Sequence, residues 1–202
     1  MTKGRLEAFS DGVIAIIITI TVLLIDAPDG KDFSALLQIL PLAVVYAVSF
    51  IVIGTHWANH HHLLQVAKHV NGKILWANLF YLFTLSFYPV ATGWVGKSNF
   101  SPAPITVYAL INLVEAIAYI ILQKAILSSH DCVVLKNVIN ESQKEFFTIL
   151  LDVTAVICSL IPKIRFMTFV LLLGMTALWI VPDLRLKKAY MMSNSGEKKH
   201  KQ

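Results

Sequence analysis

Charge is scarce in this chain: 14% of its 202 residues are Asp, Glu, Lys or Arg, against about 25% in a soluble domain. Cysteine is nearly absent. Cys132 and Cys158 stand alone and give neither a disulfide framework nor a metal-ligand spacing. There is no glycine-rich phosphate loop and no nucleophile elbow, so an enzyme of conventional type is not expected. The formal net charge of +5 is not read as a nucleic-acid surface, because basic residues do not alternate with aromatics as a base-stacking face requires. No repeat recurs at a fixed period.

What the sequence has is hydrocarbon: 56% of its residues are hydrophobic and mean hydropathy is +0.68. The class is an all-α integral membrane protein. Six apolar segments are expected, at 6–25, 33–62, 73–95, 105–127, 145–160 and 166–186, forming one six-helix domain over 1–190. Ser34 is placed to cap the second segment, and Pro41 to kink it. Pro89 and Gly93 suggest a bend or early stop in the third. A polar, disordered tail is expected over 191–202. A cleaved signal peptide is not expected, because Ser10-Asp11 interrupts its pattern and no small-x-small site follows the first apolar run. Six spans put both termini on one side of the membrane. That side collects 13 of the 17 Lys and Arg residues, which predicts cytoplasmic termini in the cell membrane. Trp57, Trp76, Trp94 and Trp179 fall near segment ends, as interfacial anchors do.

The first segment mixes two characters. Arg5, Glu7, Ser10 and Asp11 occupy its first turns, and almost pure hydrocarbon follows. A carboxylate inside a span costs ~2.5 kcal/mol or more unless it meets a partner or water. Orientation puts Ser10 and Asp11 at the depth of His56, Trp57, Asn59, His60, His61 and His62 of the second segment and Asn78 of the third. A hydrogen-bonded cluster of Asp11, Ser10, a second-segment histidine and Asn78 is therefore expected. It either glues helices and sets their rotation, or also senses protons at a pore mouth. His56 and His60 stand four apart, but no third ligand sits at firm spacing, and no metal site is expected. Glu115 and Asp152 are the other intramembrane acids; each fits a structural hydrogen-bonding role or an ion site. Asp152 lies near enough to the predicted inner end to reach water.

Along the apolar half of the first segment, Gly12, Ile16, Thr19 and Leu23 make one helical stripe, flanked by Ile20. The stripe fits ordinary packing. It also fits a pore lining, but only if several copies surround an axis, because one stripe cannot enclose a channel.

Arg5-x-x-x-Phe9-Ser10-Asp11 at the head of a first membrane helix, with Trp57-Ala58-Asn59-His60-His61 later, resembles the transmembrane protein 175 family of potassium channels. The likeness covers nearly the whole chain and points to the prokaryotic branch. It implies a homotetramer in the bilayer whose first helices line a pore for potassium and other monovalent cations. The Thr-Val-Gly-Tyr-Gly filter of ordinary potassium channels is absent. Carried over, the pore positions are Ile16, Thr19, Ile20 and Leu23, with Ile16 and Leu23 as a hydrophobic constriction. The network that anchors the pore helix is Arg5, Phe9, Ser10, Asp11, Trp57, His60, His61 and Asn78. No cofactor is implied beyond the permeant potassium. A proton-coupled secondary transporter using Glu115 or Asp11 is the alternative.

Overall fold

A computed structural model of the chain describes residues 2–67, 69–129 and 144–180. The described residues are helical throughout their long elements: α1 (Lys3–Val22), a 3-10 turn (Phe33–Ala35), α2 (Leu36–Val66), α3 (Gly72–Leu85), α4 (Tyr88–Lys97), α5 (Pro102–Ser128), α6 (Lys144–Leu160) and α7 (Met167–Ile180). These make six segments in the expected order, with the third in two pieces. The expected tail over 191–202 lies outside the described residues, as does the end of the sixth segment.

Three stretches are long and apolar enough to cross a membrane by composition: Phe33–Val66, Gly72–Lys97 and Pro102–Ser128. The helix Met167–Ile180 is apolar but shorter. α1 reaches 20 residues, but Lys3, Arg5, Glu7 and Asp11 make its first half polar. That mixture requires α1 to find partners for its charges.

Local departures from expectation have local causes. Ser34 does not cap α2: it lies inside the 3-10 turn, and the helix starts without a side-chain cap. α2 runs through Pro41 unbroken, as neighbouring helices allow in a membrane. The third segment breaks at Ser86–Phe87, ahead of Pro89, which takes the second position of α4. That position suits proline because its missing N–H has no intrahelical role there. Pro102 and Pro104 likewise open α5 rather than sitting in a loop.

α1 packs on α2, α3 and α4, α5 packs on α3, α4 and α6, and α7 closes against α6 and α2. Gly96 of α4 permits the tightest crossing: a Cβ there would stand 2.7 Å from the Leu42 Cα on α2. After α4 the chain turns through Asn99 (φ 51°) and Phe100 (φ 61°). The left-handed conformation costs a bulky residue about 1–2 kcal/mol. The Phe100 ring recovers contact by packing on Phe166 and Phe169, with centroids 6.1 and 5.8 Å away. At the opposite end Asn71 caps α3 by accepting from the Ile74 N–H at 2.9 Å and donates to Ser129 Oγ at 2.7 Å.

Candidate functional site

α1 has two faces. Leu6, Ser10, Ile14, Ile17 and Thr21 are buried against the rest of the subunit. Their spacing of three to four residues makes one helical stripe. On the other face, Arg5, Phe9, Gly12, Ile16, Thr19, Ile20 and Leu23 are exposed. Ile16 is 59% and Leu23 72% exposed. The stripe identified from periodicity is thus the side of α1 that its own subunit leaves open.

The hydroxyls on the two faces are handled alike. Thr19 Oγ1 donates to Ala15 O at 2.8 Å and Thr21 Oγ1 to Ile17 O at 2.7 Å. Both protons are therefore used within the helix. On the open face, the Thr19 oxygen presents its lone pairs outward, and it can only accept.

The buried face is tied down by a chain of neutral polar groups. Ser10 Oγ donates to Leu6 O at 2.9 Å and accepts from Asn78 Nδ2 at 3.0 Å. Asn78 Oδ1 meets His60 Nε2 at 2.7 Å. Ser10 and Asn78 are 0% and His60 1% exposed. The His60 ring stacks flat on Tyr81, centroids 5.3 Å apart. One hydrogen-bonded line thus runs from α1 through α3 to α2.

Asp11 stands outside that line. Its Oδ1 accepts from Trp57 Nε1 at 2.8 Å, and the indole stacks on His61 at 6.0 Å. His61 Nε2 lies 2.9 Å from Gln65 Nε2. At the helix start, Lys3 Nζ donates to Gln65 O at 2.7 Å and faces Glu7 at 3.8 Å. So α2 holds α1 at three levels: Gln65, Trp57 with His61, and His60 through Asn78. Arg5 and Phe9 are not drawn into this network within one subunit; both sit on the open face.

A second polar cluster lies one turn deeper along α2, and the sequence reading did not assemble it. His56 Nε2 stands 3.0 Å from Glu115 Oε2 of α5. Asn112, one turn before Glu115, turns instead to Asp152 of α6, donating from Nδ2 to Oδ1 at 2.9 Å. Tyr88 donates to Asn112 Oδ1 at 2.7 Å. Asp152 is 0% exposed, so it does not reach water as its position near a segment end suggested; α5 and α7 cover it. The signal that could have found this cluster was the pair of acids and Asn112 in otherwise apolar runs. What the sequence lacked was the rotation of α2 that aims His56 at α5.

Residues 5–89 match the profile of the family described as "Endosomal/lysosomal potassium channel TMEM175". A Chryseobacterium sp. (strain P1-3) protein named a potassium channel is 44% identical over 190 residues, covering 94% of this chain and 98% of the relative. A Streptomyces collinus protein also named a potassium channel is 34% identical over 125 residues, covering 58% of this chain and 61% of the relative. Among solved structures, a lysosomal potassium-selective channel TMEM175 homolog from Chamaesiphon minutus superposes with a TM-score of 0.72 at 29% identity, covering 91% of this chain and 97% of that one. With a near full-length relative and a matching fold, the chain belongs to the TMEM175 family.

Proposed function

We propose that this chain is a potassium-permeable channel of the cell membrane, built as a homotetramer in which four α1 helices surround the ion path. The potassium-channel names of its relatives support the activity. The observation that carries the pore assignment is the two-faced α1. One stripe is buried and hydrogen-bonded to its own subunit; the opposite one, with Ile16, Thr19, Ile20 and Leu23, has no partner.

Around a four-fold axis, Ile16 and Leu23 make two rings of alkyl groups. Such rings cannot replace the water around a cation, so they gate by dewetting, and ions pass only when the opening keeps some hydration. Between them the outward lone pairs of Thr19 supply partial replacement ligands. A preference for potassium follows from its easier partial dehydration. The anchor of Ser10, Asn78, His60, Asp11 and Trp57 sets the rotation of α1 and so aims the rings. The cytoplasmic end is the one carrying this anchor, with the N-terminus inside.

Ile16→Asn tests the reading in planar bilayers. Wetting the ring raises single-channel conductance and weakens potassium over sodium selectivity. Currents unchanged from wild type would contradict the gate, and absence of any potassium current from the wild-type protein would contradict the channel.

A further inference from the structure

The cluster around Glu115 differs from an ordinary structural network in what it lacks. Glu115 and Asp152 are both 0% exposed. Among the described residues neither forms an ion pair with a Lys or Arg; His56, 3.0 Å from Glu115, is the basic group in contact with the pair. That contact lies off the line of a hydrogen bond, and Glu115 Oε1 and Asp152 Oδ2 meet no donor either. Of the donors nearby, the Tyr81 hydroxyl faces Glu115 but shares its one proton with a backbone carbonyl. Tyr88 donates to Asn112 and Tyr81 donates to His56 O at 3.3 Å. Asn112 can therefore offer only its amide N–H, which goes to Asp152 Oδ1.

Charge balance then decides the state of the cluster. With both carboxylates ionised and the imidazole neutral, two negative charges would lie in a membrane core without compensation. The effective cost is still several kcal/mol per ion after relaxation. Neutralising both acids removes it and supplies a donor at each carboxyl. Metal chemistry is not the answer, because among the described residues no three His, Cys, Asp or Glu converge as ligands. The groups facing Glu115 are His56 from α2, Tyr81 from α3, Tyr88 from α4, and Asp152 and Glu145 from α6, with Tyr119 on its own helix. Lys144 stands over the Trp179 ring at the rim.

A cavity adjoins the pair. Glu115 and His56 line it with Asn59, Glu145, Thr148 and Trp179, and about 20 Å³ of it is open to the centre of a water molecule. A water needs about 10–15 Å³ by that measure and two or more polar partners. The space is sized for the molecule that delivers or removes a proton.

We propose that each subunit contains a proton-binding site, separate from the α1 stripe, in which Glu115 and Asp152 each hold a proton at neutral pH, with the His56 ring beside Glu115. The ligand is the proton. The site borders the α1 anchor: Tyr81, whose hydroxyl reaches His56 O, stacks on His60. The site does not depend on α1 lining a pore.

Infrared spectroscopy of the full-length protein in liposomes tests it without any transport readout. At pH 7 the wild type shows the carbonyl stretch of protonated carboxylic acids, and this band shifts in D2O. Glu115→Gln removes part of the band, Asp152→Asn another part, and Asp11→Asn none. Should one variant fail to fold, the other still decides, because each removes its own part of the band. Absence of the band at pH 7, or a band that both variants leave intact, would overturn the proposal.

Discussion

Two polar clusters sit one turn apart on α2, and they are built on opposite terms. The His60 cluster is made of neutral groups: Ser10, Asn78 and His60 pass one line of contacts from α1 to α2, with a single ring nitrogen, His60 Nδ1, left without a partner. The His56 cluster is made of acids whose bonds do not close. A line of neutral hydrogen bonds fixes geometry, while buried acids short of donors are costly and change state with their protons. The first therefore positions the helix, and the second stores protons. Tyr81 touches both, stacking on His60 and donating to the His56 carbonyl.

Breaking the neutral cluster has the largest effect. Asn78→Leu leaves His60 Nε2 without a partner, at about 1–3 kcal/mol, and cuts the link to Ser10, whose hydroxyl keeps only its bond to Leu6 O. A large drop in melting temperature in detergent is expected, with potassium flux into liposomes lost as α1 loses its rotation. Trp57→Phe removes the donor to Asp11 but keeps the stacking on His61. Since Trp57 is 43% exposed, the loss is about 1 kcal/mol, read as a small melting shift and altered conductance. Glu115→Gln should do less still. It keeps the shape and removes an acid whose charge the core does not support, so stability changes by about 1 kcal/mol or less. A loss as large as that of Asn78→Leu would show that the two clusters do not differ in kind. At the foot of the series, Asp26→Asn breaks an exposed pair, 3.8 Å from Lys97, and should leave the melting temperature unchanged within error.

How much of this was legible in the sequence depended on which kind of information each contact needs. Depth is readable: the positive-inside count and the six apolar runs placed Ser10, Asp11, the α2 histidines and Asn78 in one layer, and the structure brings Ser10, Asn78 and His60 into contact there. Rotation is not readable. Asp11 shares its depth with the histidines but turns to Trp57, and Asn112, one turn before Glu115, turns to Asp152. One helical step moves a side chain by about 100°, so the choice between His56, Trp57 and His60 as partners rests on packing that no single-chain pattern encodes. The Ser86–Phe87 break escaped for a similar reason. Pro89 announced a disruption, yet a proline is tolerated in the first turn of a helix, so the break falls before it. The open stripe of α1 was legible because periodicity alone separates its faces.

A pore lined by α1 requires the ions to meet one face of that helix and not the other. Cysteines placed one at a time on that helix, in a Cys132→Ser and Cys158→Ser background, test this directly through block of potassium current by a charged thiol reagent. Ile16→Cys, Thr19→Cys and Leu23→Cys should lose current on exposure to the reagent, while Ile14→Cys and Ile17→Cys should not. Equal block on both faces, or block confined to positions 14 and 17, would contradict it.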